Sequence, residues 1–194
     1  MKNLVFIVIS AILTNNMVLY YFLGICPFLG VSSKIESAFG MGVAVIFVMT
    51  LANALSWLIY HLVLAKLGIT FLAYVLFILV IAALVQAVEM VVRKFSPPLY
   101  RALGIFLPLI TVNCAILGAT LLMITWNYNF LESVVYGFAG GVGFLLIIMV
   151  MAGMREDLEF ADVPKVFQGA AITLITTGML SLVFMGFSGL ISSK

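Results

Sequence analysis

Charge is what this chain has least of. Only 8% of its 194 residues are Asp, Glu, Lys or Arg, against about 25% in an ordinary soluble domain. So few charges cannot cover a water-soluble fold, and a chain of this size has no interior large enough for 65% hydrophobic residues. The solvent must be lipid. The net charge is +2, too small to point to nucleic acid. Cysteine is nearly absent at two residues, which excludes a disulfide framework. There is one histidine. No phosphate loop, dinucleotide fingerprint or soluble domain is recognisable.

Long apolar runs fill the chain instead. A membrane span needs about 20 such residues. Six stretches qualify, roughly Leu4–Phe22 (running on through GICPFLGV), Ala38–Leu62, Ile69–Val92, Ala102–Thr125, Val134–Ala152 and Val166–Leu190. The opening MKNLVFIVISAIL is built like a secretory signal, but no small-residue cleavage site follows it, so it is expected to stay as the first span. Charges fall almost wholly between the runs. With the N-terminus outside, Lys34, Arg93, Lys94, Arg101, Arg155 and Lys165 face inward, and only Lys2, Lys66 and Lys194 face outward. The excess of inner Lys and Arg therefore predicts both termini on the outer side.

Two runs read as broken. Leu4 to Val31 would make a straight helix of about 42 Å, against a hydrocarbon core of about 30 Å. That run holds Asn15, Asn16, Gly24 and Pro27, and the fourth holds Gly104, Pro108, Asn113 and Gly118. Cys26 precedes Pro27 and is expected to avoid helical geometry. Irregular backbone in lipid must be enclosed by protein, so both segments are expected at the centre of the bundle.

The two cysteines sit in matching strings, CPFLG from Cys26 and CAILG from Cys114. Downstream, ESAFGMG from Glu36 parallels ESVVYGFAGG from Glu132 with one residue inserted. Each half, about residues 1–95 and about 96–194, carries three runs. An odd number turns the second half upside down. The expected fold is thus an all-α membrane protein of six transmembrane helices, arranged as two inverted three-helix repeats with broken first and fourth helices. Such symmetry draws Cys26 and Cys114 together near the midplane.

A lone buried cysteine is usually a small hydrophobe. A pair at equivalent positions beside helix breaks reads more sharply as a metal site, because thiolates in lipid need a positive companion. A [2Fe–2S] cluster typically takes four Cys ligands, and this chain offers two. A second copy or a related partner would supply the others, and amides near Gly24 and Gly118 could bond to the sulfurs.

Longer strings carry a resemblance. LTNNMVLYYFLGICPFLGVS, ALVQAVEMVVRKFSPPLYRALGIFLPLITVNCAILG, NFLESVVYGF and ADVPKVFQGAAITLITTGMLSLVFMGFSG closely resemble the RnfA/NqrE family of redox-pump membrane subunits, over essentially the whole chain. The proline in GICPFLG leans toward the Rnf branch. The resemblance implies a multi-pass bacterial inner-membrane subunit that is not catalytic alone. It implies pairing with a homologous, oppositely oriented RnfE-like subunit, and a shared [2Fe–2S] cluster whose ligands here are Cys26 and Cys114. It also implies electron transfer between ferredoxin and NAD, coupled to Na⁺ or H⁺ transport. NAD, FMN or riboflavin and further Fe–S clusters would lie on other subunits (B, C, D and G).

Other residues are read more plainly. Glu89 pairs with Arg93 four residues on, or lies on an ion path. Asn15 and Asn16 cap the broken helix, while Asn113 caps or donates to sulfur. Trp57, Tyr60 and His61 are read as interfacial. Gly137 and Gly141 stand at close-packing spacing. REDLEFAD, from Arg155, is read as a solvated inner loop and a docking surface for soluble redox subunits. The alternative functions are a small inverted-repeat ion or solute carrier with a structural cysteine pair, and an assembly scaffold.

Overall fold

The computed structural model describes residues 2–32, 34–64, 66, 72–95, 113–161, 164 and 167–186. Among them, every long regular element is a helix. Helix α1 (Lys2–Ile9) continues into a π turn, Ser10–Thr14. There the Ser10 carbonyl accepts the Asn15 N–H at 2.7 Å and the Thr14 hydroxyl at 3.1 Å. The helix then ends on its two asparagines. Asn15 Nδ2 donates to Ser10 Oγ at 2.8 Å, and Asn16 Nδ2 donates to the Ile12 carbonyl at 3.0 Å. Asn16 Oδ1 accepts the Val18 N–H at 3.0 Å. This satisfies groups that a helix end leaves open.

Helix α2 (Ile25–Val31) follows only after Gly24, whose φ of 85° suits glycine. Cys26 and Pro27 are therefore helical, contrary to the sequence expectation. The chain has already turned at Gly24, so Pro27 falls in a first turn, where its missing N–H has no intrahelical partner to lose. Beyond it run α3 (Ile35–Ile59, prolonged by a π turn, Tyr60–Leu64), α4 (Ala73–Phe95), α5 (Cys114–Thr125), α6 (Phe130–Glu159) and α7 (Ala170–Met185). The stretches Ile35–Leu62, Ala73–Met90 and Phe130–Leu158 are long and apolar enough to cross a membrane. Leu4–Thr14, Cys114–Thr125 and Ala170–Met185 are shorter apolar helices. The expected break at Gly104 and Pro108 lies outside the described residues, as do Arg101, Lys165 and Lys194.

The axis of the bundle is an antiparallel pair, α3 against α6. Gly42 faces Leu145, Ile46 faces Gly141, and Asn53 faces Gly137. A Cβ on Gly141 would stand 2.6 Å from Ile46 Cα, and one on Gly137 would stand 3.0 Å from the Met49 carbonyl oxygen. The glycine spacing thus serves contact inside the bundle, where lipid gives no hydrophobic drive and close backbone approach must do the binding. Of the three long spans, α6 is the most enclosed, at 56% buried, and α4 the least, at 28%. The interrupted segments pack against the α3–α6 pair rather than forming the axis themselves. A Cβ on Gly143 would meet Asn16 Nδ2 at 2.8 Å. Val75 and Leu79 of α4, and Met179 and Leu182 of α7, point outward.

Candidate functional site

Helix α5 starts at Cys114. Asn113 caps it, with its Oδ1 accepting the Ala115 N–H at 3.0 Å. Asn113 is buried, yet among the described residues its Nδ2 has no partner. An unpaired buried amide is costly, so this donor is free for an acceptor. Cys114 is half-buried, and its sulfur accepts the Gly24 N–H at 2.9 Å. Ninety positions of sequence separate the two. Gly24 fits because it has no side chain. A Cβ there would stand 3.0 Å from Phe144 Cε2, 3.1 Å from Ala115 Cβ and 3.3 Å from Asn113 Oδ1.

The backbone between Asn16 and Gly24 is bent to reach this seat. Phe22 has a φ of 55°, a strained value for a bulky residue. The Leu23 N–H donates to the Met17 carbonyl at 2.9 Å, and Ser181 Oγ of α7 donates to the Leu19 carbonyl at 2.7 Å. Cys26 then lies in the first turn of α2, exposed, while Pro27 and Phe28 behind it are buried. A Cβ on Gly118 would run into the Leu23 side chain, so α5 also receives this loop closely. Gly24, Asn113, Cys114 and Gly118 therefore line one meeting point of the two motif strings, with Cys26 and Pro27 two and three residues beyond Gly24.

Glu89 shares no hydrogen bond with this group among the described residues. It is half-buried on α4, and the side chain of Arg93 lies outside the described residues. At the far end of α3, Trp57 Nε1 donates to the Tyr128 carbonyl at 2.8 Å, and His61 stacks on Trp57 with ring centroids 4.1 Å apart. Burial, then the Glu132 carboxylate and the Tyr21 phenol, push the Tyr128 hydroxyl up to about 12. Arg155 was also misread from sequence. Arg155 is not in a solvated loop, because α6 continues to Glu159. Its Nη1 donates to the Leu29 carbonyl at 3.0 Å and to Ser32 Oγ at 2.9 Å. Nothing in REDLEFAD distinguishes it, since its acceptors lie more than a hundred positions away.

Chemically the site is a half-buried thiol, Cys114, that accepts one backbone N–H, with the exposed Cys26 thiol two residues beyond the donor Gly24. Among the described residues no three His, Cys, Asp or Glu gather, so these two sulfurs are part of a ligand set at most. The family model described as "Rnf-Nqr subunit, membrane protein" matches residues 4–191, which include both cysteines. The chain belongs to the Rnf-Nqr subunit family. Within that family, proteins of Aliivibrio salmonicida and Syntrophotalea carbinolica are each 56% identical over 191 residues, 98% of this chain and 99% of the relative. A protein of Aeromonas hydrophila is 54% identical over the same coverage. All three are named as subunits of an ion-translocating oxidoreductase complex. This Rnf-Nqr family member thus matches them almost end to end.

Proposed function

We propose that this chain is the corresponding membrane subunit of an ion-translocating oxidoreductase complex, holding half the ligands of an intramembrane [2Fe–2S] cluster. The complex would exchange electrons between ferredoxin and NAD and couple this to Na⁺ or H⁺ movement. Nicotinamide, flavin and further clusters would sit on other subunits. When bound, the cluster would supply a one-electron carrier inside the bilayer. Cys26 and Cys114 would be its ligands from this side, and two cysteines of a homologous, oppositely oriented subunit would complete the set.

One observation carries this reading: the Gly24 N–H donates to the Cys114 sulfur at 2.9 Å. Amide donors to a ligating sulfur tune the potential of the cluster it holds. The unpaired Asn113 Nδ2 is a second donor beside the same cysteine. Cys114 also opens a twelve-residue helix, whose N-terminal end favours negative charge. Exposed Cys26 faces outward, as a ligand shared with a partner must.

The topology has support as well. Antiparallel packing of α3 on α6 agrees with an inverted pair of three-helix repeats, because these are the second and fifth segments. Arg155 meets Ser32 at one end of the α3–α6 pair and Trp57 meets Tyr128 at the other, which is consistent with the first end being the inner one and the second the outer. Together with the lysine and arginine bias, this favours an inner-membrane subunit with both termini on the periplasmic side.

The test is Cys26→Ser and Cys114→Ser in the full complex, with assembly checked on native gels. Each should lose most of the iron and acid-labile sulfide that this site contributes. Full cluster content in either assembled variant would remove that cysteine from the ligand set.

A further inference from the structure

Helix α2 has seven residues, Ile25–Val31. At about 1.5 Å per residue it is about 10 Å long, and an isolated helix so short does not hold itself together. Its placement must come from contacts. At its start, Gly24 is tied to the Cys114 sulfur. At its end, Arg155 of α6 donates from Nη1 to the Leu29 carbonyl and to Ser32 Oγ, the cap residue. A helix C-terminus leaves carbonyls unsatisfied and carries partial negative charge, and a guanidinium answers both. Ser32 is fully buried, so this is an internal tie rather than a solvated surface contact. The next residue of α6 continues it, since Glu156 Oε1 accepts the Ile35 N–H at the start of α3 at 3.3 Å.

We propose that Arg155 is a positioning residue for Cys26, fixing the short helix whose first turn carries that thiol. Its redox consequence rests on the cluster reading above, but its effect on the position of the thiol does not. The guanidinium touches neither cysteine in any hydrogen bond among the described residues. It acts through the far end of α2, with Pro27, Phe28 and Val31 packed between.

The experiment uses the intact complex with Arg155→Gln and Arg155→Lys, each combined with Cys114→Ser or with Cys26→Ser, so that one thiol of this chain remains. The readout is the rate of maleimide alkylation. With Cys26 alone present, Arg155→Gln should raise its rate severalfold, and Arg155→Lys, which keeps a charged donor, should return it toward the parent value. With Cys114 alone present, neither substitution should change the rate. Should Arg155→Gln fail to assemble, Ser32→Ala removes one acceptor and leaves the charge, and should give a smaller rise at Cys26 only. An unchanged Cys26 rate, or equal rises at both thiols, would overturn the proposal. With both cysteines present, Arg155→Gln should also shift the midpoint potential of the cluster. A parent complex without iron would sink the cluster reading, while the alkylation result would still decide the role of Arg155.

Discussion

Replacing Gly24 by alanine tests the seat on which both motif strings meet. Two costs can be read from the structure. The backbone φ of 85° is left-handed, which costs an L-residue about 1–2 kcal/mol. The added Cβ would crowd Phe144 Cε2 at 3.0 Å, Ala115 Cβ at 3.1 Å and Asn113 Oδ1 at 3.3 Å. These atoms belong to α6, to α5 and to the α5 cap, all packed against buried neighbours, so making room adds about 1–3 kcal/mol. The total is about 2–5 kcal/mol, or a melting temperature lower by roughly 4–20 °C on the scale of proteins of this length. The shift would also stretch the N–H···S contact, so iron should be lost more readily. Gly153→Ala is the control. It lies within α6, where an added methyl would find nothing inside 4 Å, and alanine there should be neutral or favourable by up to about 1 kcal/mol. Thermal unfolding and iron retention of the detergent-purified complex would be followed for both. If Gly24→Ala melts with the control and keeps its iron, the seat does not constrain the chain as argued.

Gly141→Ala would press a methyl onto the Ile46 backbone, 2.6 Å away, and should cost about 1–3 kcal/mol by parting α3 from α6. Gly178→Ala on α7, with open space around it, should melt no lower than the parent, and equal melting of the two would refute the close approach. Tyr128 gives a pH prediction. Its hydroxyl is raised from 10.0 to about 12, so folding favours the neutral phenol. That contribution is intact below pH 10 and is lost as pH rises through 12. Tyr128→Phe should therefore flatten the decline in melting temperature across this window, each protein being compared with its own neutral value. A profile matching the parent would refute the assignment.

Three of the six expected runs were legible as helices long and apolar enough to cross a membrane, because crossing lipid is a property of local composition. Ala38–Leu62 became α3 and its π turn, and Val134–Ala152 became the middle of a longer α6. The first break was legible for the same reason, since Asn15, Asn16 and Gly24 act on the backbone within a few residues of themselves. Pro27 misled because a proline in the string does not say whether the chain has already turned. Arg155 was missed because its acceptors, Leu29 and Ser32, lie on another helix far away in sequence. The cysteine strings could be matched to each other by repetition, but repetition does not reveal which atom of one motif touches the other. That atom is a backbone N–H, which has no letter in the sequence.

The physical problem posed by α2 explains why those unlettered contacts matter. A helix about 10 Å long cannot span a hydrocarbon core of about 30 Å. At least one of its open ends must therefore fall where water cannot satisfy it, and an unmet group there is costly. Lipid offers helices no hydrophobic reason to associate, so packing alone holds a short element weakly. The chain meets the difficulty from its second half. Cys114 takes an amide at one end, and Arg155 satisfies a carbonyl and the capping hydroxyl at the other. Cys26, the residue most conspicuous in the string, is thus the dependent part of the arrangement. Its thiol faces outward from a helix whose buried side, Pro27, Phe28 and Val31, packs inward and whose two ends are tied at Gly24 and by Arg155.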